Sequence, residues 1–125
     1  MFETENTTLD TLYIINDSTD PVTLEVTVEG EGQTSDMTVK LGSEVIAKEH
    51  AGNLPEKRLG TNKALIGKKL QLAAVITDTS RETNFTGLKI RLSGGVVPME
   101  FPLFKTVDEE GQSADYLCLI EFFKP

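Results

Sequence analysis

With 125 residues and 38% apolar content, the chain is one domain's worth and can bury a core without staples; its single cysteine, Cys118, excludes an intramolecular disulfide framework. A net charge of −8 argues against nucleic acid and anionic membranes as partners. There is no apolar run of about 18 residues and no basic-then-apolar leader, so the expected location is the cytoplasm, without membrane insertion, or outside the cell if a leader has been removed.

Residues 1–9 are polar, acidic and Thr-rich and read as a loose tail, leaving 10–125 as the folded domain. Tyr13 and Ile15 alternate with Leu12 and Ile14, which predicts a first strand over 10–16. Asn16-Asp17-Ser18-Thr19-Asp20-Pro21 is a turn cluster. The clearest element follows: Val22-Thr23-Leu24-Glu25-Val26-Thr27-Val28-Glu29 places aliphatic side chains on one face and Thr or Glu on the other. After a Gly-rich loop over 30–36, a third strand over 37–41 puts Met37, Val39 and Leu41 on one face.

From Gly42 to Gly67 the alternation fades. This stretch reads as one long irregular connection between sheets, with Ser43 placed to cap a short helix through His50, or Val45-Ile46-Ala47 forming a strand instead. The pattern then resumes. Residues 68–78 carry Leu70, Leu72, Ala74 and Ile76 inward, and 85–93 bury Leu88, Ile90 and Leu92 while exposing Lys89 and Arg91. Gly94-Gly95 marks a bend. A strand over 96–104 contains Pro98 and Pro102 and therefore belongs at a sheet edge. The last strand, 114–123, is apolar on both faces, the mark of an internal or doubly covered strand. Seven to eight strands separated by turn signals predict an all-β fold, a single antiparallel β-sandwich, with a closed barrel as the alternative.

Reactive constellations are scarce. His50, the only histidine, lies in the irregular connection without a recognisable partner set and reads as a solvated loop residue. Cys118 sits between Leu117 and Leu119 and reads as core. No phosphate loop, nucleophile elbow, dinucleotide fingerprint or two-His metal pattern occurs, which argues against an enzyme. Asp108, Glu109, Glu110 and Asp115 flank Gly111 and are the candidate ligands for calcium, with Asp17, Asp20, Asp78 and Glu82 in other loops. Tyr13, Tyr116, Phe85 and Phe104 are the aromatic candidates for a sugar platform.

Charge is segregated along the chain. Residues 1–39 hold nine carboxylates and no Lys or Arg; residues 40–91 hold ten basic and five acidic side chains. Either one fold neutralises itself, or the acidic front of one copy meets the basic middle of another. Lys57, Arg58, Lys63, Lys68 and Lys69 form the candidate docking cluster for an acidic protein, and the terminal Phe122-Phe123 joins the Pro98–Pro102 edge as a sticky surface. The function expected from all this is a non-enzymatic binding or structural module acting through protein–protein contacts, with a protein partner or by self-association. A calcium-assisted binder of carbohydrate or lipid headgroups is the alternative, and an enzyme with an unrecognised site comes last. No small-molecule substrate is evident, and no cofactor other than the calcium candidate is expected.

Overall fold

The computed structural model describes residues 5–30, 33–79 and 84–125. Its elements are β1 (Thr8–Ile14), β2 (Pro21–Glu29), β3 (Thr34–Leu41), β4 (Glu44–Ala51), β5 (Leu54–Thr61), a single helical turn α1 (Asn62–Leu65), β6 (Lys69–Thr77), β7 (Phe85–Ser93), β8 (Met99–Thr106) and β9 (Ser113–Phe123). The strands form two sheets, β1-β9-β6-β3-β4 (sheet I) and β5-β2-β7-β8 (sheet II), packed into a sandwich rather than closed into a barrel. Neighbouring strands are antiparallel except β1 and β9, which run parallel. These two come from opposite ends of the chain, so no hairpin constrains their direction.

Alternation dictates the core. Val22, Leu24 and Val26 of β2 and Leu88, Ile90 and Leu92 of β7 line sheet II; Met37, Val39, Leu70, Leu72, Ile76, Cys118, Ile120 and Phe122 line sheet I. Each of the larger aliphatic side chains contributes about 1.5–3 kcal/mol on burial. The register Leu24↔Leu92 and Val26↔Ile90 in one sheet, and Leu72↔Cys118 in the other, keeps every inward residue beside another. A slip of one residue would turn this whole set toward water.

The stretch 42–67 departs from the sequence expectation. It is not an irregular connection but two edge strands, β4, which contains the alternative strand Val45-Ile46-Ala47, and β5, followed by α1. The chain does cross between the sheets here, at Gly52-Asn53 between β4 and β5. Both strands are bulged against their partners, and Glu49 adopts a positive φ of 48°. Each bulge resets the period, which erases the alternation from the sequence. The consecutive Glu56-Lys57-Arg58 of β5 are all exposed, as suits an edge. The helix lies later than Ser43–His50; it is capped by Thr61, whose hydroxyl accepts a hydrogen bond from the Ala64 amide.

Two further boundaries move. Ordered structure begins within 1–9, because β1 starts at Thr8 and Asn6 bridges Phe104; residues 1–4 lie outside the described residues. The proline-containing strand is β8, which starts after Pro98 and is an edge as expected. Phe104 exchanges both of its backbone hydrogen bonds with Asn6, away from β7. Pro102, two residues earlier, faces the same open side, so its missing N–H removes nothing from the β7 ladder.

Candidate interaction surface

The outer face of sheet I carries the site. In β9, Leu117, Leu119 and Phe123 point away from the core, and β1 sets Leu12 and Ile14 beside them. The register pairs Ile14 with Phe123, Leu12 with Glu121 and Asp10 with Leu119. On the other side of β9 stand Ala73 opposite Leu117 and Gln71 opposite Leu119, with Val75 opposite Asp115. Leu12, Ile14, Val75, Leu117, Leu119 and Phe123 are each 36–48% exposed, well outside the core range. A shallow depression of about 550 Å³ runs over Ala73, Val75, Leu117 and the carboxylates of Asp36, Glu49 and Asp115. A second, of about 280 Å³, lies over Leu12 and Leu119 with Lys69, Asp10 and Glu121 at its rim. Contiguous apolar exposure of this kind marks contact sites on soluble proteins.

Sheet II presents a different outer face. Glu25, Arg91 and Glu100 stand in one row, and Thr27, Lys89 and Pro102 in the next. Lys89 reaches Glu29 and Arg91 reaches Glu100, both at 3.8 Å. Phe85 stacks on Phe104 with ring centroids 5.9 Å apart, over Gly87, where a Cβ would crowd the Phe85 ring and Glu29. The apolar rows belong to sheet I; sheet II wears alternating charge, with Phe85 exposed at one end and Val96, Val97 and Met99 exposed at the β7–β8 connection.

Sheet edges offer less. β4 and β5 are bulged and charged, and β8 is interrupted by Pro102 and capped by Asn6. The β1 edge is regular, but the Val96 amide donates to the Ile14 carbonyl and closes one end; Asn6 turns to β8 at the other. The accessible feature is thus the face rather than an edge.

The residues expected from sequence are placed as follows. Phe123 belongs to the surface, but Phe122 is a correction: it is fully buried and meets the Tyr13 ring edge-on at 6.2 Å. The two neighbours point to opposite faces because strand period is two. Lys57 and Arg58 lie on β5, Lys63 on α1, Lys69 at the start of β6 and Lys68 just before it, so the basic cluster is divided along the chain. Lys57 donates to the Ile46 carbonyl at 3.2 Å, and Lys69 stands opposite Glu121. Part of the acidic front lies between basic strands: Glu25 stands opposite Arg91 and Glu29 is 3.8 Å from Lys89 on sheet II, while Asp10 and Asp36 lie on sheet I.

Asp108, Glu109 and Glu110 sit in an exposed turn, and Asp115 lies on the outer face of β9. The turn is organised by Gln112, whose side-chain oxygen accepts from the amides of Asp108 and Glu109. Among the described residues, no three His, Cys, Asp or Glu side chains come together as a metal site; Glu82 lies outside the described residues. His50 is on β4 rather than in a loop, half-buried, with Nε2 2.8 Å from the Asn53 carbonyl. Cys118 is buried in the core, and desolvation pushes its thiol up to about 12, so it stays protonated near neutrality. Tyr13 and Tyr116 are core residues rather than a sugar platform. Desolvation raises the pKa of both, opposed by the Gly95 amide at Tyr13 and the Thr86 hydroxyl at Tyr116.

The polar residue most easily overlooked in the sequence is Asn62. It is fully buried; its side-chain amide donates to the Asp20 and Gly94 carbonyls, and its oxygen accepts from the Asn16 amide. A lone Asn between Thr61 and Lys63 gives no sequence signal of this. Among the described residues, no helix is long and apolar enough to cross a membrane. No protein-family model matches the chain, and comparison with curated proteins and with solved structures found no match.

Proposed function

We propose that the chain is a non-enzymatic binding or structural module that acts through protein contacts, and that the outer face of sheet I makes them. The observation that carries this reading is the exposed apolar group Leu12, Ile14, Leu117, Leu119 and Phe123, side by side on two adjacent strands. Burial of that group against another protein would release apolar surface from water, the main favourable term in association. The two side chains best suited to chemistry are otherwise engaged: Cys118 in the core and His50 with the Asn53 carbonyl.

The test is a pair of outward substitutions, Leu12→Lys with Leu119→Lys, on the wet side of each strand. The double variant should melt like the wild type yet lose whatever protein the wild type binds, whether a second copy or a partner retained on a column of immobilised chain. If wild type and double variant are the same in self-association and in partner retention, this face is not the contact surface.

A further inference from the structure

We propose that the occupant of this face is a second copy of the chain, packed face to face about a two-fold axis that crosses the strands between Leu117 and Leu119. This rests on the reading of the face as a protein-contact surface and names what covers it. Charge placement selects the second copy and the axis. At one end of the face, Asp36 and Asp115 flank Val75, with Glu49 beside the same depression. Toward the other end stand Lys40, opposite Gln71, and Lys69, with Glu121 directly opposite Lys69. The leucines lie between.

A two-fold axis along the strands would set the acidic end on itself, in a chain that already carries −8. An axis across the strands reverses the face, so each acidic end meets the partner's lysine end and Leu117 meets the partner's Leu119. Packed sheets sit about 30° apart. Over the distance from the axis to Asp115, that angle shifts the overlap by about 5 Å, one strand spacing. Lys69 of the partner subunit, which an unrotated stack would set over Val75, then comes under Asp36 or Asp115, and Asp115 is moved off Glu121 of the partner subunit, which it would face in that unrotated stack. Five strands spaced about 4.8 Å apart, at roughly 3.4 Å per residue, give a face on the order of 700 Å² per copy. That is close to the roughly 800 Å² per partner of a standard stable interface.

The experiment is sedimentation of the full chain across a wide concentration range, with far-UV circular dichroism and melting as the folding control. The wild type should reach twice the chain mass, and Leu119→Lys should remain a folded monomer. A second measurement avoids reliance on that variant. Leu117→Cys and Leu119→Cys chains, treated with a short bifunctional maleimide, should cross-link to a dimer far more when mixed than when either is alone; buried Cys118 leaves the wild type as the blank. A dimer that survives Leu119→Lys and shows no preference for the mixed cross-link overturns the proposal. So does a wild type that is monomeric throughout. If that monomer still retains a different protein through Leu119, the face binds but its occupant is not a second copy; if it retains none, the contact-surface reading falls as well.

Discussion

Tyr116 ends a chain of hydrogen bonds that runs through the core. Thr86 donates its hydroxyl proton to the Lys105 carbonyl at 2.6 Å, so the 2.7 Å contact with Tyr116 has the phenol as donor. Removal of the end of such a chain differs from removal of its middle. Tyr116→Phe leaves Thr86 bonded to Lys105 and should lower stability by about 1 kcal/mol. Thr86→Val keeps the shape but strips both neighbours of their partner, and should lower it by roughly 2–3 kcal/mol. Urea melts of the two variants check this order; equal losses would mean that the hydroxyls are not linked in series. Two positions along β9, Cys118 gives a pH dependence with a definite sign. Its folded pKa is raised, so its contribution is fully present below the unfolded value of about 8.5 to 9 and is lost as pH climbs toward 12. The unfolded chain releases the thiol proton first, and stability should fall by about 1 kcal/mol between pH 9 and 10. Cys118→Ala should be less stable near neutrality but should lack that portion of the decline. Denaturant melts of wild type and Cys118→Ala at the two pH values test it, the difference between them removing the part of the decline owed to Tyr13 and Tyr116, whose unfolded phenols begin to ionise near 10.

Asn62 makes α1 matter more than its four residues suggest. Its side chain ties the β1–β2 turn, through Asn16 and Asp20, to the bend at Gly94, where a Cβ would run into the Pro21 carbonyl. Asn62→Ala removes three hydrogen bonds from a buried site and should lower stability by about 3 kcal/mol, against about 1 kcal/mol for loss of the Thr61 cap. Asn62→Asp should be worse than Ala, because it turns an oxygen toward two carbonyls. Thermal melts of the three variants rank them; an Asp variant as stable as the wild type would remove this role. The strands that hold the core, β2, β3, β6 and β7, were legible because each has one dry and one wet face and hence a clean period of two. β4 and β5 were not, because edge strands bury little and their bulges break the period. In β9 the doubled apolar pattern was visible, and it predicted an internal strand correctly. It did not reveal that the outer set, Leu117, Leu119 and Phe123, stays half exposed, since cover depends on neighbours that a single strand's sequence does not contain. The parallel pairing of β1 with β9, which completes the candidate surface, joins chain ends too far apart for any local signal.

At the scale of the molecule, strand order mixes what the sequence segregates. The acidic β2 lies between β5 and β7, the strands that carry Lys57, Arg58, Lys89 and Arg91, so Glu25 and Glu29 meet basic neighbours in sheet II, while Asp10 and Asp36 go to sheet I. The net −8 remains. Set against it among the described residues are two ion pairs, each 3.8 Å long and half exposed, and pairs of that kind contribute little. Repulsion arising from the excess of carboxylates should outweigh attraction in the folded state. A chain of this length has a radius of gyration of about 14 Å. In about 10 mM salt the screening length is about 30 Å, so every charge acts on every other; near 100 mM it is about 10 Å, and only neighbours interact. The unfolded chain spreads the same charges over a larger volume and gains less from screening. Salt should then stabilise the fold, on the order of 1 kcal/mol between those two concentrations, or about 4 °C in melting temperature for a domain of this size. Calorimetry of Leu119→Lys in sodium chloride at constant pH isolates the folding term from self-association. A melting temperature that falls as salt is added would show that attractive pairs, rather than net repulsion, dominate the electrostatics of the sandwich.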